Sequence, residues 1–396
     1  MPEVQILVKA EGEKSLIALI RENTLLEYHE QEQSSESLVG SLFLGRVERV
    51  LPAVKAAFVK LGLRQIGFLP IREQDGFHHL MGDAPLVTGN DVLVQVKKDP
   101  KGDKGAFLTR DVALPGQYVL LMPNNRHVGI SKRIEDEADR TQARSLGIRI
   151  AGGRFGVIVR HAALFAAESE VRQEAEALYA EWKSLADAAP YRKAPELLKR
   201  SESILSRLCK DYCARYDLAV FADADLSETV GEKASFQKLD SEAFDLLWRK
   251  ARVAEQVKDA LRRKVQLPGG GNLIIDQREA LHTLDVNSAS NVEAGESLPL
   301  SQNLAAVPEI ARQIRLRNLS GIVLVDFIDM DTEAEREEVL NAMEEAVRDD
   351  AVKTVIHGFT KLGILEMTRR RTSDTLLEAV ATPCNRCNQT GHILPD

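Results

Sequence analysis

The sequence predicts a mixed α/β and β protein that is divided into several subdomains. Residues 39–122 are rich in short strand patterns, whereas the chain after residue 271 alternates between strand and helix patterns. The length of 396 residues leaves room for two or three domains of roughly 100–200 residues each. We therefore expect a small β-barrel followed by a covered α/β sheet.

The composition is that of an ordinary globular protein, with 44% hydrophobic and 28% charged residues. A formal net charge of −8 argues against a chain that coats nucleic acid through overall positive charge, so any nucleic-acid site must be local. No apolar run approaches the roughly 20 residues that a membrane helix needs. Charged residues such as Glu3 and Lys9 also interrupt the N-terminus, where a signal peptide would be apolar. We expect a cytoplasmic protein with no membrane partner.

The N-terminal half contains mostly strand patterns. Two apolar segments around residues 21–23 predict a hairpin, and residues 31–37 form a polar linker. Five strand patterns separated by Gly, Pro, Asn and Asp then fill residues 39–122, a module the size of an OB barrel. A basic stretch, a short strand and a charged helix are predicted between residues 123 and 186.

The C-terminal half changes to alternating helices and strands. Helices are predicted at 196–215, 241–265, 304–317 and 333–348, and strands at 218–222, 272–276, 281–287, 322–326 and 354–359. Such alternation predicts a sheet covered by helices, with polar sites gathered at the strand ends.

Acidic residues occur at two of these predicted strand ends. Alternation along residues 281–287 places Asp285 and Asn287 on one face, and the apolar strand that follows is interrupted by Asp326 and finished by Asp329. An ionised carboxylate in such a place is costly unless it is paired, hydrogen-bonded or bound to a cation. Mg²⁺ suits the pattern because it accepts one or two carboxylates and keeps several waters. Pattern alone leaves a second interpretation open, in which the last two aspartates cap the following helix.

Aromatic and basic residues provide a weaker indication of RNA. Phe58 is predicted to share the outer face of its strand with Lys60, which would suit stacking on a base, although packing against another domain is the alternative. The orientation of Phe68 is less clear because its strand is apolar on both sides. Two arginine clusters, at residues 312–317 and 369–371, could contact phosphate, but a solvated face is the simpler interpretation of the first.

The four cysteines form two close pairs with different expected roles. Cys209 and Cys213 lie on an apolar helical stripe, so we expect them to pack in a core. Cys384 and Cys387 have the C-x-x-C spacing of half a tetrahedral zinc site. One chain supplies only two thiolates here, and a second copy of the chain is the simplest source of the other ligands.

Several longer motifs resemble the ribonuclease E/G family, nearer its G-type members. They are LDVNS at 284–288, IARQIRLRNLSG at 310–321, IVLVDFIDM at 322–330, HGFTKLGILEMTRRR at 357–371 and CNRCNQTG at 384–391. In the N-terminal half, GSLFLGRVERVLPAVKAAFVKLG resembles the family's S-one-type OB fold, and LMPNNRHVGISKRIE resembles the start of its 5′-sensor segment. The resemblance covers nearly the whole chain and favours catalysis over helix capping.

The resemblance implies an order of subdomains. Residues 1–38 and 206–270 would form an RNase H-like subdomain that is interrupted by the OB-fold RNA-binding domain at 39–122 and the 5′-sensor region at 123–205. A DNase I-like α/β catalytic subdomain at 271–382 and a zinc-link tail at 383–396 would follow.

The resemblance also implies a function, which is Mg²⁺-dependent endonucleolytic cleavage of single-stranded RNA in rRNA processing or mRNA decay, leaving 5′-phosphate and 3′-hydroxyl ends. Asp285 and Asp329 match the family's magnesium ligands, and Asn287 matches the asparagine that orients the first of them. In the OB fold, Phe58, Phe68 and Lys104 match RNA-contacting positions.

The zinc link of the family joins two chains. Cys384 and Cys387 match its ligands, so the resemblance implies a structural Zn²⁺ shared between two chains of a homodimer. The 396 residues do not include the small C-terminal domain that the resemblance leads one to expect, and we therefore expect assembly no larger than this dimer.

One departure concerns the 5′ sensor, where the family has an Arg-Thr pair that binds the RNA 5′-monophosphate and this chain has Arg160 followed by His161. Because imidazole titrates near pH 6.5, we expect 5′ sensing to be weakened or pH-dependent. The altered sensor and the missing small domain together give an alternative function, which is an RNA-binding protein of the same fold with reduced or lost cleavage. A nuclease that acts on DNA is a third, weaker one.

Overall fold

The computed structural model describes residues 3–32, 37–71, 86–100, 103–132, 134, 136–213, 216–231, 234–268, 270–278, 280–288, 298–348, 350–371, 373–382 and 384. The chain divides into two compact units. Unit 1 combines Met1–Ser35 with Asp217–Asp396, and unit 2 is Glu36–Tyr216. The finer subdomain boundaries predicted from the sequence remain predictions.

The strands of the described chain are short and spread over its whole length. They are β1 Val4–Glu11, β2 Lys14–Arg21, β3 Thr24–Glu32, β4 Leu42–Leu51, β5 Ala56–Lys60, β6 Gly67–Pro70, β7 Asp91–Lys98, β8 Phe107–Thr109, β9 Leu114–Pro115, β10 Val119–Met122, β11 Val128–Ile130, β12 Gly156–Val159, β13 Glu196–Lys199, β14 Leu218–Ala222, β15 Ser235–Lys238, β16 Lys264–Gln266, β17 Asn272–Gln277, β18 Leu281–Asn287, β19 Gly321–Asp326, β20 Thr354–Phe359 and β21 Ile364–Arg369.

The α-helices lie mainly in the second half of the described chain. They are α1 Glu137–Ala151, α2 Glu168–Ala188, α3 Ile204–Tyr212, α4 Ser227–Val230, α5 Ser241–Lys250, α6 Val253–Ala260, α7 Leu298–Leu316, α8 Glu333–Arg348 and α9 Leu376–Val380. Within the part of the chain that the structure describes, no helix is both long enough and apolar enough to span a membrane.

Unit 2 contains a small barrel-like sheet of six described strands, in which β13 joins the five strands that were predicted within residues 39–122. Its strands run in the order β13-β4-β5-β6-β8-β7, and a further pairing of β4 with β7 closes the sheet on itself. Apolar residues that alternate along the strands fill the interior, among them Val47, Val59 and Leu108. Two tight glycines allow this packing. A Cβ on Gly67 would lie 2.6 Å from Leu108 Cδ1, and one on Gly105 would lie 1.7 Å from the Ile66 carbonyl oxygen.

Unit 2 also contains a four-stranded sheet, β11-β12-β10-β9, which packs with α1 and α2 around Phe155 and Trp182. The prediction of one helix over 196–215 is wrong. The first residues of that segment form β13, which pairs with β4 at Leu197 and Phe43, and α3 begins later with Ser203 as its N-cap. An edge pairing that depends on a distant strand overrides the local helical pattern.

The described residues of unit 1 form two sheets. The first has the order β15-β14-β1-β2-β3, so strands from the start of the chain pair with strands that follow unit 2. The predicted hairpin is β2-β3, and its turn residues Glu22 and Asn23 have φ values of 50° and 63°. The single helix predicted over 241–265 is wrong, because Arg252 adopts a φ of 51° between α5 and α6, and β16 follows.

The second sheet of unit 1 has the order β16-β17-β18-β19-β21-β20. The parallel neighbours β18 and β19 lie at its centre, as expected for a covered sheet, and α7 and α8 pack together over an apolar core. The predicted bounds of β18, α8 and β20 agree with the structure, whereas β21 was not predicted.

Candidate active site

The central strands of the second sheet bring two aspartates to one edge. In the parallel pairing of β18 with β19, Asp285 lies directly beside Asp326 at the carboxyl ends of both strands. The residues before them, Leu284 and Val325, are fully buried and hold the strands in the core. The two aspartates follow these buried residues directly, and both are exposed.

Asn287 orients the first of these carboxylates. Its Nδ2 donates a hydrogen bond of 2.9 Å to Asp285 Oδ2. The two side chains are two positions apart on β18 and therefore point to the same face, as the alternation of the strand predicted. The amide leaves the remaining lone pairs of the carboxylate available for a ligand.

Asp329 lies in the turn after β19, and a buried side chain fixes that turn. Asn303 on α7 is fully buried, its Nδ2 donates to Ile328 O at 2.8 Å, and its Oδ1 accepts from Ile328 N at 3.0 Å. Both backbone groups of the residue before Asp329 are thus satisfied by one amide. The sequence analysis did not identify Asn303. Its position three, four and seven residues before Ala306, Val307 and Ile310 places an amide on an apolar helix face, which is the signal that could have identified it.

The three carboxylates interact electrostatically. Partial desolvation, together with the negative charges of Asp285 and Asp329, raises the pKa of Asp326 above its usual value. On the neighbouring strand β17, Asp276 accepts two hydrogen bonds of 2.7 Å from Arg263. Hydrogen bonding to Asp276 is the main cause that raises the pKa of the Arg263 guanidinium, and the charge of Asp285 makes a smaller contribution. Sequence reasoning missed Arg263 because only the sheet register brings it beside Asp276.

The structure assigns the capping of the following helix to Thr332. Its Oγ1 accepts from Glu335 N at 3.2 Å, and the Glu335 carboxylate accepts from Thr332 N at 2.9 Å, which is a capping box at the start of α8. Asp326 and Asp329 therefore are not needed as caps. The alternative interpretation of these two residues loses its basis.

The donor set fits a hydrated hard cation. Among the described residues, no group of three or more His, Cys, Asp and Glu side chains is close enough to hold a metal ion. Mg²⁺ does not require such a group, since it binds through one or two carboxylates and keeps most of its waters. Asp285 and Asp329 are exposed and carry oxygen atoms of the type that such a cation accepts, and Asn287 donates a hydrogen bond to the first of them.

The predicted RNA-binding residues of the barrel lie on its outer surface. Phe58 and Phe68 are half-buried neighbours on β5 and β6, with ring centroids 6.0 Å apart in an edge-to-face arrangement. The guanidinium of Arg49 lies 5.1 Å from the centroid of the Phe58 ring. Lys104 is exposed on the segment that leads into β8. These contacts make a surface with both aromatic and cationic character.

The predicted 5′-sensor residues lie at the end of β12. Arg160 donates to the Gly116 carbonyl oxygen and to the carboxylate of Asp211, which is largely buried. The imidazole of His161 packs edge-on against Phe165 at 5.2 Å between centroids. The guanidinium is thus partly committed to a carboxylate of the same unit, a feature that the sequence did not suggest.

The cysteines that the structure describes have different environments. Cys209 is buried in α3, and burial raises the pKa of its thiol to about 12, as expected for a packing residue. Cys384 is exposed. Cys387 lies outside the described residues, so the zinc link stays a prediction.

The acidic strand ends and the aromatic, basic barrel surface are features typical of a protein that acts on nucleic acid. A family model described as "Ribonuclease E/G family" matches residues 113–372. The chain belongs to the ribonuclease E/G family and is an endoribonuclease, a hydrolase that acts on RNA.

Relatives of both types match nearly the whole chain. Ribonuclease G of Haemophilus influenzae is 33% identical over 99% of this chain and 84% of the relative. Ribonuclease G of Escherichia coli K12 is 34% identical over 98% of this chain and 84% of the relative. Ribonuclease E of Haemophilus influenzae is 34% identical over 98% of this chain and 44% of the relative. The family resemblance expected from the sequence is confirmed.

Proposed function

We propose that this endoribonuclease is Mg²⁺-dependent, cleaves single-stranded RNA in rRNA processing or mRNA decay, and leaves 5′-phosphate and 3′-hydroxyl ends. The observation that carries the proposal is the acidic edge, where Asp285 and Asp326 lie side by side and Asn287 donates to Asp285. The negative charge of Asp329 acts on the same edge.

The chain's own residues prepare this edge for a phosphodiester. Asn287 donates a hydrogen bond to the Asp285 carboxylate, and Asn303 fixes the turn that carries Asp329. Asp285 and Asp329 would hold Mg²⁺, which when bound supplies Lewis-acid polarisation of phosphate and a water of lowered pKa. Arg263 forms a two-bond ion pair with Asp276 on the strand beside β18, and we propose that its guanidinium also contacts phosphate at this edge.

The barrel surface is proposed to hold the RNA strand. Phe58 and Phe68 are half-buried rings on which unpaired bases are proposed to stack, and the exposed Lys104 is proposed to contact phosphate. Since stacking requires bases free of a duplex, this surface favours single-stranded RNA.

Arg160 and His161 are proposed to contact the RNA 5′ end. Because Asp211 competes for the Arg160 guanidinium, a 5′-phosphate has to share or displace an existing ion pair. We therefore expect a smaller preference for 5′-monophosphate than a free arginine would give.

Two further parts of the proposal concern assembly and location. Cys384 and Cys387 are proposed to bind one structural Zn²⁺ together with the same pair of a second chain, which would give a homodimer. The cytoplasmic location stays a prediction, which cell fractionation tests.

The experiment compares Asp329→Asn with wild type on a short single-stranded RNA in the presence and absence of Mg²⁺. Losing one carboxylate removes several kcal/mol of electrostatic stabilisation, so we expect the cleavage rate to fall by about 100-fold or more. Asp331→Asn, an exposed neighbour two residues further along the chain, is the matched control and should keep the wild-type rate. Mass spectrometry of the fragments identifies the new ends.

Equal rates for wild type and Asp329→Asn would remove this residue from the mechanism. RNA binding that needs no Mg²⁺, with no cleavage under any condition, would favour the alternative of a binding protein that has lost productive catalysis. A preference for single-stranded DNA in competition would overturn the choice of substrate.

A further inference from the structure

A continuous row of five side chains crosses the barrel surface. Strand pairing places Arg49 on β4 opposite Phe58 on β5, Phe58 opposite Phe68 on β6, Phe68 opposite Phe107 on β8, and Phe107 opposite Lys98 on β7. Four steps of roughly 4.8 Å between strands make the row about 19 Å long. The order is cation, three aromatic rings, cation.

All three rings lie on the outer face of the barrel. Each phenylalanine is half-buried, whereas the residues on either side of it along its strand are buried in the barrel interior. Around Phe107 these neighbours are Ala106 and Leu108, which are 1% and 0% exposed. The core is therefore filled by other residues, and the three rings are left to form a surface.

The rings touch one another in sequence. The Phe58 and Phe68 centroids are 6.0 Å apart, and the Phe68 and Phe107 centroids are 5.7 Å apart with an angle of 37° between the rings. At the ends of the row, Arg49 lies 5.1 Å from the Phe58 centroid and Lys98 Nζ lies 5.8 Å from the Phe107 centroid. Phe107 is thus in the same contact relation to Lys98 as Phe58 is to Arg49.

Charge complementarity identifies the occupant of this surface. Three aromatic rings bordered by two exposed cations match a ligand with flat apolar groups linked by anions, which describes a single-stranded nucleic acid. An apolar protein partner would gain nothing from cations at both ends of the row. The tight glycine at position 105 fixes the segment before β8 against Ile66 and so holds the third ring in register with the other two.

We propose that Phe107, flanked by Lys98, forms a third base-stacking position that extends the pair Phe58 and Phe68, so that the barrel holds three successive bases of an RNA strand. Arg49 and Lys98 lie at the two ends of the row and contact the phosphates there. The inference rests on the proposed single-stranded RNA substrate and adds the length of the segment that the barrel holds.

The experiment measures binding of fluorescein-labelled oligouridylate and oligoadenylate 10-mers by anisotropy at fixed salt. The protein carries Asp329→Asn so that the RNA is not consumed. Loss of one stacking position weakens binding by roughly 5- to 150-fold. We expect Phe107→Ala and Phe107→Leu to weaken binding within this range, and Phe107→Tyr, which keeps the ring, to restore it.

Two further variants separate stacking from charge. Lys98→Gln should reduce the slope of log K against log salt concentration by about 0.7, the value for one phosphate contact with a single strand. Tyr191→Ala removes an aromatic ring that is 91% exposed on the same unit and is the matched control, with unchanged binding. The thermal unfolding midpoint of each variant shows that it is folded.

The outcomes are distinct. If Phe107→Leu binds RNA as tightly as its parent while Phe58→Ala weakens binding, the third position is overturned and the proposed function stands. If the parent protein binds neither oligonucleotide, the proposed function itself fails. If all three phenylalanine-to-alanine variants bind RNA normally, the row is a surface for some other partner and the inference is wrong.

Discussion

Arginines that look alike in the sequence have different roles in the folded protein. Arg317 is 1% exposed, donates to Gln313 and to the Arg262 carbonyl oxygen, and has its pKa lowered to about 10 by burial. Arg369 is also buried and forms a two-bond ion pair with Asp350. The expectation that the first cluster is a solvated face is therefore wrong, and neither of these two side chains is available to contact phosphate.

The reason is that helical and strand periodicity report only which residues share a face. They do not report whether a distant carbonyl or carboxylate is present to satisfy a buried guanidinium. For Arg369 the partner comes from a loop 19 residues earlier, and Asn318 accepts a further hydrogen bond of 2.7 Å. Such partners become visible only when the chain is folded.

At the same scale, His282 should make the protein sensitive to mild acid. Its ring is buried on β18, Nε2 contacts the Ser320 carbonyl oxygen at 3.1 Å, and burial lowers the pKa of the imidazole despite the opposing charge of Glu378. In the unfolded chain the imidazole takes up a proton near pH 6.5. The contribution of the neutral His282 ring to the free energy of unfolding is thus complete above that pH. It decreases as the pH drops from there towards the lower pKa of the folded state.

His282→Gln keeps a donor to Ser320 and cannot be protonated. We therefore expect the unfolding midpoint of this variant to fall by a few degrees less than that of wild type between about pH 7 and pH 5.5. Thermal unfolding followed by circular dichroism measures the midpoint at each pH. His357→Gln, at an exposed position of the same sheet, is the control and should leave the pH profile as it is. If the unfolding midpoints of wild type and His282→Gln fall equally with pH, His282 is not the source of the acid sensitivity.

At the scale of elements, one side chain joins α7 to the turn after β19. Asn303→Leu leaves both the N–H and the carbonyl oxygen of Ile328 without their partner, at a cost of about 1–3 kcal/mol for each buried group. The turn that carries Asp329 then loses its fixed position. We expect kcat to fall by about 10- to 100-fold and the Mg²⁺ concentration for half-maximal rate to rise.

Asn303 is a positioning residue, so its loss should not affect the barrel. RNA affinity measured by anisotropy should stay at the wild-type value. The control Ser301→Ala, on the exposed side of α7, should change neither RNA affinity nor kcat. A fall in activity that excess Mg²⁺ leaves untouched, accompanied by a lower unfolding midpoint, would point to general destabilisation instead.

The local sequence pattern predicted the bounds of some helices and strands but not of others. β18, α8 and β20 have the predicted bounds because each has a clear apolar period and recognisable ends. The segment 196–215 has the composition of a helix, yet its start pairs with β4 because Leu197 finds a partner at Phe43. Pairing between distant strands has no local signature, so β13 and β21 were missed.

At the scale of the whole molecule, the strands of unit 1 come from both ends of the sequence. β1 pairs with β14 across a long interval of the chain, and unit 2 fills that interval. The relatives match over 98–99% of the chain, so the similarity covers the residues of both units. The ribonuclease assignment therefore concerns both units together.

The proposed zinc link belongs to this scale. The double variant Cys384→Ser/Cys387→Ser should convert a dimer with about one zinc per two chains into a zinc-free monomer, because each chain supplies half of a tetrahedral set. Sedimentation and elemental analysis measure this. Cys213→Ser, in the helical pair, is the control and should leave mass and zinc content unchanged. A zinc-free monomeric wild type would remove the link and leave the acidic edge unaffected.

The sequence by itself determined the ribonuclease family, the α/β and β character, and the aspartates at the strand ends. Long motifs, alternation and helical periods are properties of neighbouring residues and can be followed along the chain. Tertiary structure alone decided that Asp326 lies beside Asp285, that Asn303 fixes the turn before Asp329, and that Phe107 continues the row begun by Phe58. These relations depend on strand register and on the satisfaction of buried polar groups, which arise between residues far apart in the chain.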